Sequence, residues 1–138
     1  IMAMINMQTM RYINLFDRVS HVKTRRCFMY NNIIVFAVPR DLMSKAIGTN
    51  GKNVQLIQEM LGKKIKIVRE ARGLEDIRDF VQEVIQPVTF KSIEVKDNEI
   101  IITAGSQSKA ALIGRNRVRL IELGQILEDN FYKELKIV

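Results

Sequence analysis

One cysteine, one histidine and two prolines in 138 residues leave several kinds of chemistry without material. Cys27 has no second thiol to pair with, which excludes an internal disulfide and any metal site built on clustered cysteines. His21 follows Ser20 without an acidic or cysteine partner beside it, so it reads as a surface or capping residue. No nucleophile, base and orienting group occur together, so the chain is not expected to be an enzyme and calls for no cofactor. No stretch approaches the roughly 18 apolar residues of a membrane span. Residues Ile1 to Phe16 are broken by Asn6, Gln8, Arg11 and Asn14 and lack the apolar run of a signal peptide. A cytoplasmic setting with no membrane contact is the expectation. Phe16, Phe28, Tyr30 and Phe36 are too few and too strand-bound to argue for a base-stacking platform. Glu75, Asp76 and Asp79 cluster where a helix begins, and its dipole explains them without a metal. Met2, Met4, Met7 and Met10 read as ordinary packing or terminal disorder, with a partner-binding stripe as the alternative.

Apolar residues make up 47% of the chain, enough for a packed core. The net charge of +7 points to an anionic partner, and its placement is uneven. Residues 1–72 hold 13 Lys/Arg against 4 Asp/Glu, a net of +9, whereas residues 73–138 hold 9 against 11, a net of −2. The basic character belongs to the first half.

The chain also repeats itself at an offset of about 66 residues. Residues 30–38 align with 96–104, Ile47-Gly48-Thr49-Asn50 with Ile113-Gly114-Arg115-Asn116, and Val54, Ile57 and Leu61 with Leu120, Leu123 and Leu127. Residues 64–68 match 134–138 at an offset of 70, so the second copy carries about four extra residues before its last strand. Each copy reads as helix, strand, strand, helix, helix, strand. In the first, a helix is expected from Met10 to Val19, strands over 24–30 and 33–38 joined at Asn31-Asn32, and a short helix from Pro39 to Ile47. A second helix from Lys52 to Leu61 stops at Gly62, and a last strand covers Lys64 to Val68. In the second copy the opening helix runs from Leu74 to Ile85, with Ile77, Val81, Val84 and Ile85 inward, and ends at Pro87. Comparison of the copies turns Ile34, Phe36 and Val38 toward the core and Ile33, Val35 and Ala37 outward, so helices should cover only one face of each sheet. Two α+β modules follow, residues 1–72 and 73–138, with a brief linker near Ala71-Arg72-Gly73.

Gly48-Thr49-Asn50-Gly51 falls between two helices. Glycine at both ends permits dihedrals barred to other residues and keeps side chains from holding a phosphate away from the backbone. Amides that open the following helix then face that phosphate, aided by the helix dipole. Lys45 and Lys52 flank the loop and add charge.

The order helix–strand–strand–helix–GxxG–helix–strand resembles the type II KH domain, whose loop clamps the backbone of about four nucleotides. Two in tandem across nearly the whole chain resemble the short archaeal form of the transcription factor NusA. The runs 11–16, 46–53 and 61–67 carry that resemblance. It implies contacts to single-stranded nascent RNA and to RNA polymerase, in transcription elongation, termination or antitermination, with Asn53 among the loop contacts. Base recognition would fall to Ile47, Val54, Lys64 and Lys66, although Ile47 and Val54 serve equally well as core. The first loop departs from the pattern in holding Thr49 and Asn50 where basic residues are usual, which shifts the work to backbone amides and flanking lysines. The second reads Gly114-Arg115-Asn116-Arg117. Arg117 replaces the second glycine, so altered or weaker binding is expected there, with Arg115, Arg117 and Arg119 holding phosphate by side-chain bonds in a different geometry. Ribosome assembly, RNA processing or a protein-interaction role remain the competing readings.

Overall fold

A computed structural model describes residues 6–138; Met2 and Met4 lie outside that range. The contacts divide the chain into two compact units, one ending at Glu70 and the next beginning at Ala71.

In the first unit, helix α1 spans Met7–Ser20. It starts earlier than the apolar periodicity suggests because Asn6 caps it, its side-chain oxygen accepting the Thr9 amide at 2.7 Å. His21 closes the other end in the left-handed conformation, its amide donating to Asp17 at 2.8 Å. Strands β1 (Arg26–Tyr30) and β2 (Ile33–Val38) form an antiparallel hairpin whose turn residues Asn31 and Asn32 both have positive φ. The first strand begins at Arg26 rather than 24 because buried Thr24 turns its hydroxyl onto the Ala37 carbonyl. A single 3-10 turn at Arg40–Leu42 leads into α2 (Met43–Ile47), and α3 (Lys52–Leu61) returns the chain to β3 (Ile65–Arg69). That two-helix crossover lets β3 pair with β2 in parallel, giving the order β1-β2-β3.

The second unit follows the same plan with α4 (Ile77–Ile85), β4 (Ser92–Lys96), β5 (Glu99–Thr103), α5 (Ser106–Ile113), α6 (Val118–Phe131) and β6 (Glu134–Ile137). Its sheet order is β4-β5-β6, again antiparallel then parallel. Helix α6 has 14 residues against 10 in α3, so the four-residue insertion is one added helical turn. The residues leading into α4 are secured by Asp76, which is 5% exposed and accepts bonds from the Arg72 amide and guanidinium at 2.9–3.2 Å.

Both cores use the same repeat positions. Ile34, Phe36, Ala46 and Ile57 in the first and Ile100, Ile102, Leu112 and Leu123 in the second are all fully buried. Phe16 stacks on Phe36 with ring centroids 4.5 Å apart, and Phe80 meets Phe131 edge-on at 5.8 Å. Ile77, Val81, Val84 and Ile85 are buried as expected, joined by Phe80. The outward side of β2 differs from expectation. Ile34, Phe36 and Val38 belong to the helix-side core, and Val35 and Ala37 do not, yet these two are also buried. On the neighbouring strands Val35 lies between Phe28 and Lys66, and Ala37 between Arg26 and Val68, which is buried as well. In the second sheet the matching residues Ile101 and Thr103 remain partly exposed, Ile101 lying between charged Glu94 and Lys136.

Candidate nucleic-acid interface

Helix α2 stops at Gly48, which has φ 81° and ψ 163°, and its amide donates to the Ser44 carbonyl at 3.0 Å. One 3-10 turn over Thr49–Gly51 follows, with Asn50 at φ 55° and Gly51 at φ 72°. The Gly51 and Lys52 amides point inward, to the carbonyls of Gly48 and Thr49. The Thr49 and Asn50 amides take no part in those bonds, and both residues are exposed. The amides open to a ligand therefore lie within the loop, one step earlier than the start of α3.

The two glycines meet different constraints. A Cβ on Gly48 would lie 2.9 Å from Asn53 Cγ and 3.0 Å from its backbone nitrogen. A Cβ on Gly51 would meet nothing within 4 Å, so only the positive φ favours glycine there.

The second loop has nearly the same backbone: Gly114 at φ 73° and ψ 171°, Asn116 at φ 55°, Arg117 at φ 63°. The left-handed conformation that arginine disfavours is therefore adopted at Arg117. Arg117 takes the left-handed conformation of Gly51, the position where a Cβ in the first loop meets nothing within 4 Å, and the penalty is about 1–2 kcal/mol of dihedral strain. Tyr132 likewise adopts φ 59° where the first unit has Gly62.

Lys45, Thr49, Asn50 and Lys52 are exposed and Ile47 and Val54 half-buried; Val54 packs against the core. Arg115, Asn116 and Arg117 are exposed around Gly114. Arg119 gives its guanidinium to Glu122 at 2.9 Å. Its aliphatic stem fills the space over Gly114, 2.7 Å from where a Cβ would stand. Asn53 is also turned inward, its amide nitrogen donating to the Lys45 and Ala46 carbonyls at 3.1 Å each.

Lys64 and Lys66 are not brought to the loop. Lys64 lines a cleft of about 470 Å³ with Asn31, Asn32, Ile33, Gly62 and Lys63. That cleft lies at the far end of α3, a helix about 15 Å long. Lys66 sits opposite Val35 on the sheet face turned from the helices, where burial lowers the pKa of its ammonium. Burial also pushes the Cys27 thiol up to about 12, which favours the protonated form. Sequence reasoning missed Val118 and Ile121, exposed apolar residues three apart beside the second loop; an apolar pair next to arginines in the first turn of a helix was the available signal. Among the described residues no cluster of His, Cys, Asp and Glu is placed to hold a metal. No helix among them is long and apolar enough to cross a membrane.

Residues 18–75 match the family described as the NusA-like second KH domain. Three archaeal proteins, each described as a probable transcription termination protein NusA, are similar to the chain. The Methanocaldococcus jannaschii protein is 27% identical over 61% of this chain and 44% of its own length, so the match spans less than half of that relative. The Halococcus morrhuae protein is 25% identical over 88% of both chains. The Methanococcus vannielii protein is 24% identical over 97% of this chain and 79% of its own. A structure titled "Crystal structure of APE1850" aligns with a TM-score of 0.69 and 28% identity, covering 97% of this chain and all of the other. The chain has the fold of two tandem KH domains and is similar over most of its length to archaeal proteins described as probable transcription termination protein NusA.

Proposed function

We propose that this protein binds single-stranded RNA through its two helix–loop–helix corners and acts as a transcription elongation and termination factor, contacting nascent RNA and RNA polymerase. The observation that carries the RNA reading is the shared loop backbone. Two sequences, Gly-Thr-Asn-Gly and Gly-Arg-Asn-Arg, take the same dihedral path at the same place in the repeat. In the second, a residue that disfavours positive φ is held there. A conformation kept at that cost in place of a continuous helix supports a role for the loop itself, and exposed amides and cations in a small cradle suit a sugar–phosphate backbone. The transcription reading is supported by the archaeal relatives, whose descriptions name transcription termination.

The test is a titration of short single-stranded RNAs with the intact protein and with Thr49→Asp/Asn50→Asp. Two carboxylates in the first cradle should weaken binding by at least about tenfold, with an unchanged melting temperature. Equal affinity would reject the loop. Recovery of RNA polymerase with the tagged protein supports the transcription assignment; recovery of ribosomal particles instead would replace it.

A further inference from the structure

Asn53 opens the question of what keeps the first loop's amides available. In an uninterrupted α-helix, amide i donates to carbonyl i−4. The Thr49 amide would then go to Lys45 and the Asn50 amide to Ala46. Those are the two carbonyls that the Asn53 side chain occupies, at 3.1 Å each. Both partners are acceptors, so the side-chain nitrogen, with its two hydrogens, must face them. The chain leaves the helix at Gly48, and the Cγ of Asn53 lies under that glycine, 2.9 Å from where a Cβ would stand.

We infer that Asn53 is a positioning residue: its carboxamide takes over the carbonyls of Lys45 and Ala46 and so releases the Thr49 and Asn50 amides to a ligand phosphate. This rests on the RNA reading above only for its affinity consequence; the effect on the amides concerns the free protein. It also moves Asn53 out of the set of direct RNA contacts. The second loop is held otherwise, by the stem of Arg119 over Gly114 with the guanidinium on Glu122. The device therefore belongs to the first module, whose loop has no cationic side chain of its own and depends on backbone donors.

The experiment is amide hydrogen exchange by NMR on the free full chain, with RNA titrations alongside. In the unaltered protein the Thr49 and Asn50 amides should exchange rapidly and the Gly48 and Gly51 amides slowly. In Asn53→Leu, which keeps the branched shape with some added bulk and removes the donors, α2 should extend. Thr49 and Asn50 should become protected, and RNA affinity should fall by roughly tenfold. Asn53→Ala, which adds no bulk, provides the same comparison if leucine disturbs folding. Protected Thr49 and Asn50 amides in the unaltered protein would overturn the inference. So would variants with unchanged exchange, and weaker RNA binding in that case would make Asn53 a direct contact. If the unaltered protein binds no RNA while the exchange pattern shifts as described, the RNA reading fails and the positioning role stands.

Discussion

At Gly48 two requirements coincide, a positive φ and a lack of room; at Gly51 only the first applies. Substitution by alanine separates them. Gly51→Ala should cost about 1–2 kcal/mol, the strain of holding an L-residue in the left-handed region, which Arg117 already sustains in the second copy. Gly48→Ala is worse placed, since φ 81° with ψ 163° lies in a region essentially restricted to glycine, and it also drives a methyl group into Asn53, adding about 1–3 kcal/mol of overlap. Urea denaturation should rank the two in that order. Equal losses would mean that neither the backbone at Gly48 nor the contact with Asn53 resists the added methyl group, which the two bonds of Asn53 to Lys45 and Ala46 oppose. In the sequence the two glycines look alike; the contact that distinguishes them comes from a residue five positions downstream of the first.

Among the described residues, the central strand β2 supplies five of the first unit's buried hydrophobic side chains, more than any other element. Phe36 is fully buried, stacks on Phe16 of α1 and pairs with Cys27 and Ile67 on either side. Phe36→Ala should destabilise the unit by about 3–5 kcal/mol, because a cavity between sheet and helix cannot close without moving both; a loss under 1 kcal/mol in urea titration would contradict that packing. This layer was legible from the repeat, since residues apolar in both copies, such as Ile34 with Ile100 and Phe36 with Ile102, are the ones helices must cover. Burial on the opposite face was not legible. Val35 and Ala37 are buried there although they point away from the helix-side core, which period-two alternation within one strand cannot report. Nor does the sequence show on its face that the length of α3 lies between Lys64 and the loop. The role of Asn53 was equally hidden: its type and position suit a loop contact, and only the direction of its side chain shows that it faces α2.

Across the whole molecule the two modules pair opposite strategies with opposite charge. Residues 1–72 are strongly basic but present neutral Thr49 and Asn50 at the loop, with Lys45 and Lys52 to either side. Residues 73–138 are slightly acidic overall but place Arg115 and Arg117 in the loop itself. If both corners hold RNA backbone, each neutralised phosphate adds about 0.7 to the slope of log affinity against log salt for a single strand. Lys45→Gln/Lys52→Gln and Arg115→Gln/Arg117→Gln in the intact protein should therefore each lower that slope by up to about 1.4. At low salt the first pair should reduce affinity more, because the +9 half attracts the strand over a longer range than a local arginine pair in a −2 half. A slope untouched by the arginine pair would confine RNA to the first module, and the strained conformation of Arg117 would then need another cause. A slope that falls only with the arginine pair would reverse the ranking and make side-chain cations, rather than open amides, the principal grip.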